Sequence, residues 1–201
     1  SKFVTGGGGR QSGEHLYRES YALNMLYAAR YADMDCMKLR GEKGYFFIIG
    51  DEYIFPTVTV QEAKTFAGIN LEADLGVNEI LAELREKFEV FWIYPQEASY
   101  WKLKPDIAAA HRQMFGENFL VLEAVEGICE LICATVAVHE GFDMAQVASG
   151  LADVGGSANA IASASRALST KVNNGSLKKV AQVSGGSLIP AGSADDVQRL
   201  G

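Results

Sequence analysis

The arrangement that most limits what this chain can become is a pair of uninterrupted apolar runs, each preceded by a helical pattern. The first is Tyr45-Phe46-Phe47-Ile48-Ile49, set between Gly44 and Gly50 and closing on Asp51-Glu52. The second is Glu89-Val90-Phe91-Trp92-Ile93-Tyr94, which stops at Pro95. A continuous apolar run bounded by breakers is expected of a strand buried on both faces, and such strands belong to parallel sheets covered by helices. Leu16, Ala22, Leu23, Leu26, Ala29 and Tyr31 recur near a 3.6-residue period, which predicts a helix from Glu14 to Cys36 before the first run. Val77 to Phe88 is a charged amphipathic helix before the second. Alternation of helix and strand predicts parallel strands joined by right-handed crossovers.

The smaller signals fill in the rest. Tyr53 to Val60 holds a proline and reads as a loop, and Thr59 with Glu62 forms a capping-box pattern opening a short helix to about Phe66. Pro105 suits the first turn of a helix reaching Met114, Asn118 to Leu122 a further strand, and Ala124 to His139 a very apolar helix ended by Gly141. After Gly150 the composition shifts to Gly, Ala, Ser and Asn; Ala158 to Leu168 forms a helix whose small side chains bury little area, and Val180 to Leu188 reads as an edge strand or a tail. The division expected is an α/β domain over residues 1–150 and a small-residue C-terminal extension over residues 151–201.

With 48% hydrophobic and 21% charged residues, the 201-residue chain has enough apolar material for a real core. Its net charge of -7, without a Lys/Arg block, argues against a nucleic-acid surface. The most apolar stretch, Ile128 to Val138, falls far short of a membrane span and contains Glu130. Three cysteines make no disulfide framework; Cys129 and Cys133 share one helix face and read as core residues. A reducing, cytoplasmic setting is expected.

Strong enzymatic signatures are missing. Thr5-Gly6-Gly7-Gly8-Gly9-Arg10-Gln11-Ser12 has the glycine content of a phosphate loop but lacks its closing Gly-Lys-Ser/Thr. His15, His111 and His139 form no His-x-x-x-His pair, and no Gly-x-Ser-x-Gly elbow occurs. What remains is a polar glycine loop and a carboxylate, both expected at the carboxyl edge of a parallel sheet, where open α/β sheets bind ligands. Gly7, Gly8, Glu52 and Tyr94 are the candidates for lining that edge. Tyr94, Tyr100 and Trp101 read as exposed aromatics flanking Pro95.

Over about residues 3–95 the chain resembles a von Willebrand factor A domain of the bacterial or phage-like intracellular type. The residues that carry the likeness are Gly6 to Gly9, Glu19-Ser20-Tyr21 followed by Ala22-Leu23 and Tyr27-Ala28-Ala29, and above all Arg40-Gly41-Glu42-Lys43-Gly44-Tyr45-Phe46-Phe47-Ile48-Ile49-Gly50-Asp51-Glu52. The resemblance implies a Rossmann-like three-layer α/β/α sandwich with a mostly parallel central sheet and a divalent-cation site at its top edge. Asp51 matches the acid of the third metal loop, and Ser20 the hydroxyl of the second, with Glu19 beside it as a substitute. The first-loop motif Asp-x-Ser-x-Ser has no match among these residues and would lie upstream of Ser1. Magnesium takes hard oxygen ligands and keeps several waters, so a partner's acidic side chain can complete its shell.

The function expected is therefore a non-enzymatic binding module. It would engage a protein partner through Mg2+ or another divalent cation at the strand edge, as an assembly scaffold or an adaptor to an ATPase. The alternatives are a magnesium-dependent phosphate-handling hydrolase using Asp51 and Glu52, and a structural subunit with a degenerate metal site.

Overall fold

The computed structural model describes residues 18–173. In chain order the elements are β1 (Arg18–Glu19), α1 (Tyr21–Tyr31), α2 (Asp35–Arg40), β2 (Gly44–Ile49), β3 (Tyr53–Ile54), β4 (Thr57–Val58), α3 (Val60–Glu62), β5 (Leu75–Gly76), α4 (Val77–Lys87), β6 (Phe88–Pro95), α5 (Tyr100–Leu103), α6 (Pro105–Phe115), β7 (Phe119–Leu122), α7 (Ile128–His139), α8 (Met144–Asp153) and α9 (Ala158–Asn173). A three-stranded parallel sheet, in the order β2-β6-β7, forms the middle layer. Two small pairings flank it: β1 with β3, parallel, and β4 with β5, antiparallel.

Period-two alternation along β6 sorts the core into two halves. Val90, Trp92 and Tyr94 join the cluster built by α1, α4 and α6, whereas Phe91 and Ile93 join Leu131, Ala134, Val138, Ala164 and Leu168 of α7 and α9. The result is an α/β/α sandwich of the Rossmann-like kind. The strand order advances in one direction from β2 to β7, so the crossovers through α4 and α6 lie on the same face. Among the described strands of this sheet the order never reverses, so it contains no topological switch point.

Several expectations change in detail. The long first helix is two: α1 starts only at Tyr21, because Arg18 and Glu19 pair with Tyr53 and Ile54, and extended backbone at Ala32 separates it from α2. The Tyr53–Val60 loop contains the strands β3 and β4. β2 is half-buried along most of its length, not buried on both faces, because it is the outer strand of its sheet. The capping box at Thr59 forms as expected: Thr59 N donates to Glu62 Oε2 at 2.9 Å and Glu62 N to Thr59 Oγ1 at 3.2 Å. Past Glu62 the helix widens into a single π turn, Ala63–Ala67.

Two readings of α7 and α9 are corrected. Cys129 and Cys133 are exposed, because the buried stripe of α7 is Leu131, Ala134, Thr135 and Val138, and positions 129 and 133 fall outside it. The small side chains of α9 do bury area. Ala160, Ile161, Ala164 and Leu168 are core residues, and their size lets α9 press against α7 and the sheet. Gly127 marks the closeness, since a Cβ there would meet the Ala160 Cα at 3.4 Å. Residues 174–201, with the expected Val180–Leu188 strand, lie outside the described residues.

If α9 depends on small side chains, enlarging one should be costly. Ala164→Leu is expected to destabilise the protein by ~1–3 kcal/mol, read from the midpoint of urea unfolding; an unchanged midpoint would contradict this packing.

Candidate functional site at the carboxyl end of β2

Beyond Ile49 the chain leaves the sheet through Gly50, Asp51 and Glu52, and three successive carbonyl oxygens of this turn are held from below. The Trp92 indole Nε1 donates to Gly50 O at 3.1 Å, the Tyr94 hydroxyl to Asp51 O at 3.0 Å, and His111 Nε2 to Glu52 O at 2.8 Å. A carbonyl can only accept, so Nε2 carries the ring proton. The first two donors point from the same face of β6, two residues apart; the third comes from α6, one turn after Ile107 and one before Phe115 on its buried stripe. The imidazole stacks on the Trp92 ring at 3.8 Å and 20°. Trp92 and Tyr94 are wholly buried and His111 nearly so, which makes each hydrogen bond worth about 1 kcal/mol and costly to leave unmade. Burial lowers the His111 pKa from 6.5 to about 4, against the opposing effect of its bond to Glu52, so the ring is neutral at physiological pH.

Gly50 is required by its neighbour. A Cβ at this position would lie 2.1 Å from the Tyr21 hydroxyl oxygen, so only glycine lets the first side chain of α1 close over the end of β2. Tyr21 also meets Trp92 edge-on at 4.8 Å. Its hydroxyl is hydrogen-bonded to Glu19. Burial first, then that bond and the charges of Glu19, Asp51 and Glu52, raise its pKa well above the phenol range.

The sequence-derived candidates therefore divide. Glu19, Asp51 and Glu52 are brought to one place from two separate stretches of chain. Burial, followed by the charges of Glu19 and Asp51, raises the Glu52 pKa above the ordinary carboxylate value. Ser20 stands beside them at the start of α1; its carbonyl accepts from Leu23 N at 3.2 Å, and its side chain makes no capping bond. Tyr94 is not an exposed edge aromatic: its ring is buried and its hydroxyl bonded, and burial with the charges of Asp51 and Asp106 pushes its pKa up to about 12. Gly7 and Gly8 lie outside the described residues.

The oxygen donors here have the hardness that magnesium prefers. Yet no group of three or more His, Cys, Asp or Glu side chains among the described residues is placed to hold a metal ion. Glu19, Asp51 and Glu52 share an electrostatic neighbourhood without forming a coordination shell. No helix among the described residues is long and apolar enough to cross a membrane. Two open grooves of about 460 Å³ each lie elsewhere, one beside β7 and one over Gln96 to Lys102, and neither is lined by the acids.

Trp92 and His111 carry the site from beneath, and sequence reasoning did not assign them to it. The available signal was the spacing Ile107, His111, Phe115, which puts a histidine on an apolar helical stripe where it must find a buried acceptor. Compared with protein-family models, with curated proteins and with solved structures, the chain gives no match.

Two outcomes follow. The unfolded His111 side chain takes up a proton below pH 6.5 and the folded one only near pH 4, so the unfolded state binds more protons in that window and stability falls as pH drops through it. The loss amounts to roughly 3 kcal/mol by linkage, and His111→Gln should flatten the slope of unfolding free energy against pH; an equal slope in both proteins would refute it. Gly50→Ala should displace Tyr21 and cost about 1–3 kcal/mol in a denaturant titration, with loss of the edge-on Tyr21–Trp92 contact seen as a changed near-ultraviolet circular dichroism spectrum.

Proposed function

We propose that this chain is a non-enzymatic binding module of the von Willebrand factor A type, engaging a protein partner through the acidic edge at the end of β2. The observation that carries the reading is the convergence of Glu19, Asp51 and Glu52 on a turn whose backbone cannot shift without breaking buried hydrogen bonds. Crowded carboxylates repel one another, and a positive charge brought to them relieves that repulsion. A rigid acidic edge therefore favours a partner that brings a cation with it.

That cation is either a divalent metal bridging to an acidic side chain of the partner, as the family resemblance implies, or a Lys or Arg of the partner itself. A metal would need oxygen ligands beyond the described carboxylates. The fold and the pinned turn support a binding role over the hydrolase alternative in one specific respect. His111, which bonds the turn that carries Asp51 and Glu52, has its Nε2 proton committed to Glu52 O and is kept neutral by burial, so it serves the scaffold and not proton transfer.

Calorimetry with Mg2+ and Mn2+ tests the metal-bridged form. Saturable heat that disappears in Asp51→Ala supports it. Heat unchanged by Asp51→Ala, or none from either protein, contradicts it and leaves direct pairing with a basic partner as the form to pursue.

A further inference from the structure

Among the described residues the sheet ends at β7, and no described strand pairs with its outward side. Peptide groups in a strand alternate in direction. Leu122 O accepts from Gln96 N at 2.8 Å, so Leu122, and Leu120 before it, turn their peptide groups toward β6. Phe119 and Val121 turn theirs away. The Phe119 N–H is already used, donating to Gly116 O in the turn before the strand. That leaves Phe119 C=O and both the N–H and the C=O of Val121 unpaired among the described residues. They face the groove of about 460 Å³, which runs between the end of α6 and the middle of α9 and whose lining includes Arg112, Glu117, Phe119, Val121, Glu123 and Arg166.

We infer that this groove is a self-association surface, and that its occupant is the β7 edge of a second copy of the chain. The strand is self-complementary about one residue. With a two-fold axis through Val121, an antiparallel partner strand exchanges both N–H···O=C bonds between the two Val121 residues. The same register sets Phe119 opposite the copy's Glu123, whose N–H has the outward parity needed to reach Phe119 C=O. All three free groups are thereby paired.

The rims agree in charge. The Arg112 guanidinium lies 5.1 Å over the Phe119 ring and has no carboxylate partner among the described residues. The register brings it the copy's Glu123, which Arg166 already holds in place through a two-pronged bond at 2.5 and 3.0 Å. An isologous pairing uses up the edge in both copies, so it closes at a dimer and does not propagate as a fibre. Four-residue strands alone fall short of the roughly 1,200 Å² of a stable interface, so the association is weak and depends on concentration.

Sedimentation velocity on the chain from micromolar to millimolar concentration is the test. The expected result is a reversible monomer–dimer equilibrium. Val121→Pro should abolish it with the circular dichroism spectrum of the fold retained, because the lost N–H points away from β6 and proline is tolerated on such an edge. Arg112→Glu should weaken it about tenfold. Should Val121→Pro not fold, the arginine variant decides alone. A wild-type chain that stays monomeric throughout, whether or not it binds the strand of another protein, overturns the inference. So does a dimer that the substitutions leave intact. The acids at the end of β2 take no part, so this result and that of the metal titration are separable.

Discussion

The donation of three buried side chains to the carbonyls of Gly50, Asp51 and Glu52 is the constraint on which the rest of the structure leans. It ties the middle strand β6 and the helix α6 to the turn after β2, three elements far apart in sequence. Trp92 serves twice in it, as a hydrogen-bond donor and as the surface on which His111 stacks and Tyr21 abuts. The turn is therefore part of the core on its carbonyl side. The carboxylates of Asp51 and Glu52 stand on backbone held by three buried hydrogen-bond donors.

That rigidity has an electrostatic consequence. A chain of net charge -7 can hold like charges apart by letting loops drift. Here Glu19 is fixed by pairing with Ile54, while Asp51 and Glu52 are fixed from below, so the acids stay close; burial first, then the charges of Glu19 and Asp51, raise the Glu52 pKa. Sites that store unfavourable charge in this way are candidates for function, because a ligand of opposite charge recovers the energy. The His111 Nε2 proton is spent on holding the same turn.

How much of this is legible in the sequence depends on the kind of signal. The apolar runs mark β2 and β6, and Pro105 and the Thr59–Glu62 box mark their helices, because breakers and caps act locally. The position of β2 in the sheet is not local. Its run of five apolar residues reads as doubly buried, and only the strand order reveals it as an outer strand. Cys129 and Cys133 mislead because α7 is apolar nearly all round, so periodicity does not say which stripe faces in. Small residues in α9 suggest weak burial, yet they permit close approach, which only the position of α7 makes visible. At the candidate site, Asp51 and Glu52 are readable as strand-end acids, whereas Glu19 falls inside the expected Glu14–Cys36 helix and is singled out only by the family resemblance. Their meeting is a tertiary fact, set by Gly50 admitting Tyr21.

The central claim is that the turn after β2 presents crowded carboxylates on immobile backbone. Carbon-detected NMR titration of the side-chain carboxyls tests it most directly. The account predicts that Glu52 titrates above the exposed glutamates and moves part of the way toward them in Asp51→Asn, its burial and the Glu19 charge supplying the rest. A Glu52 carboxyl that titrates with the exposed glutamates and ignores Asp51→Asn would contradict it.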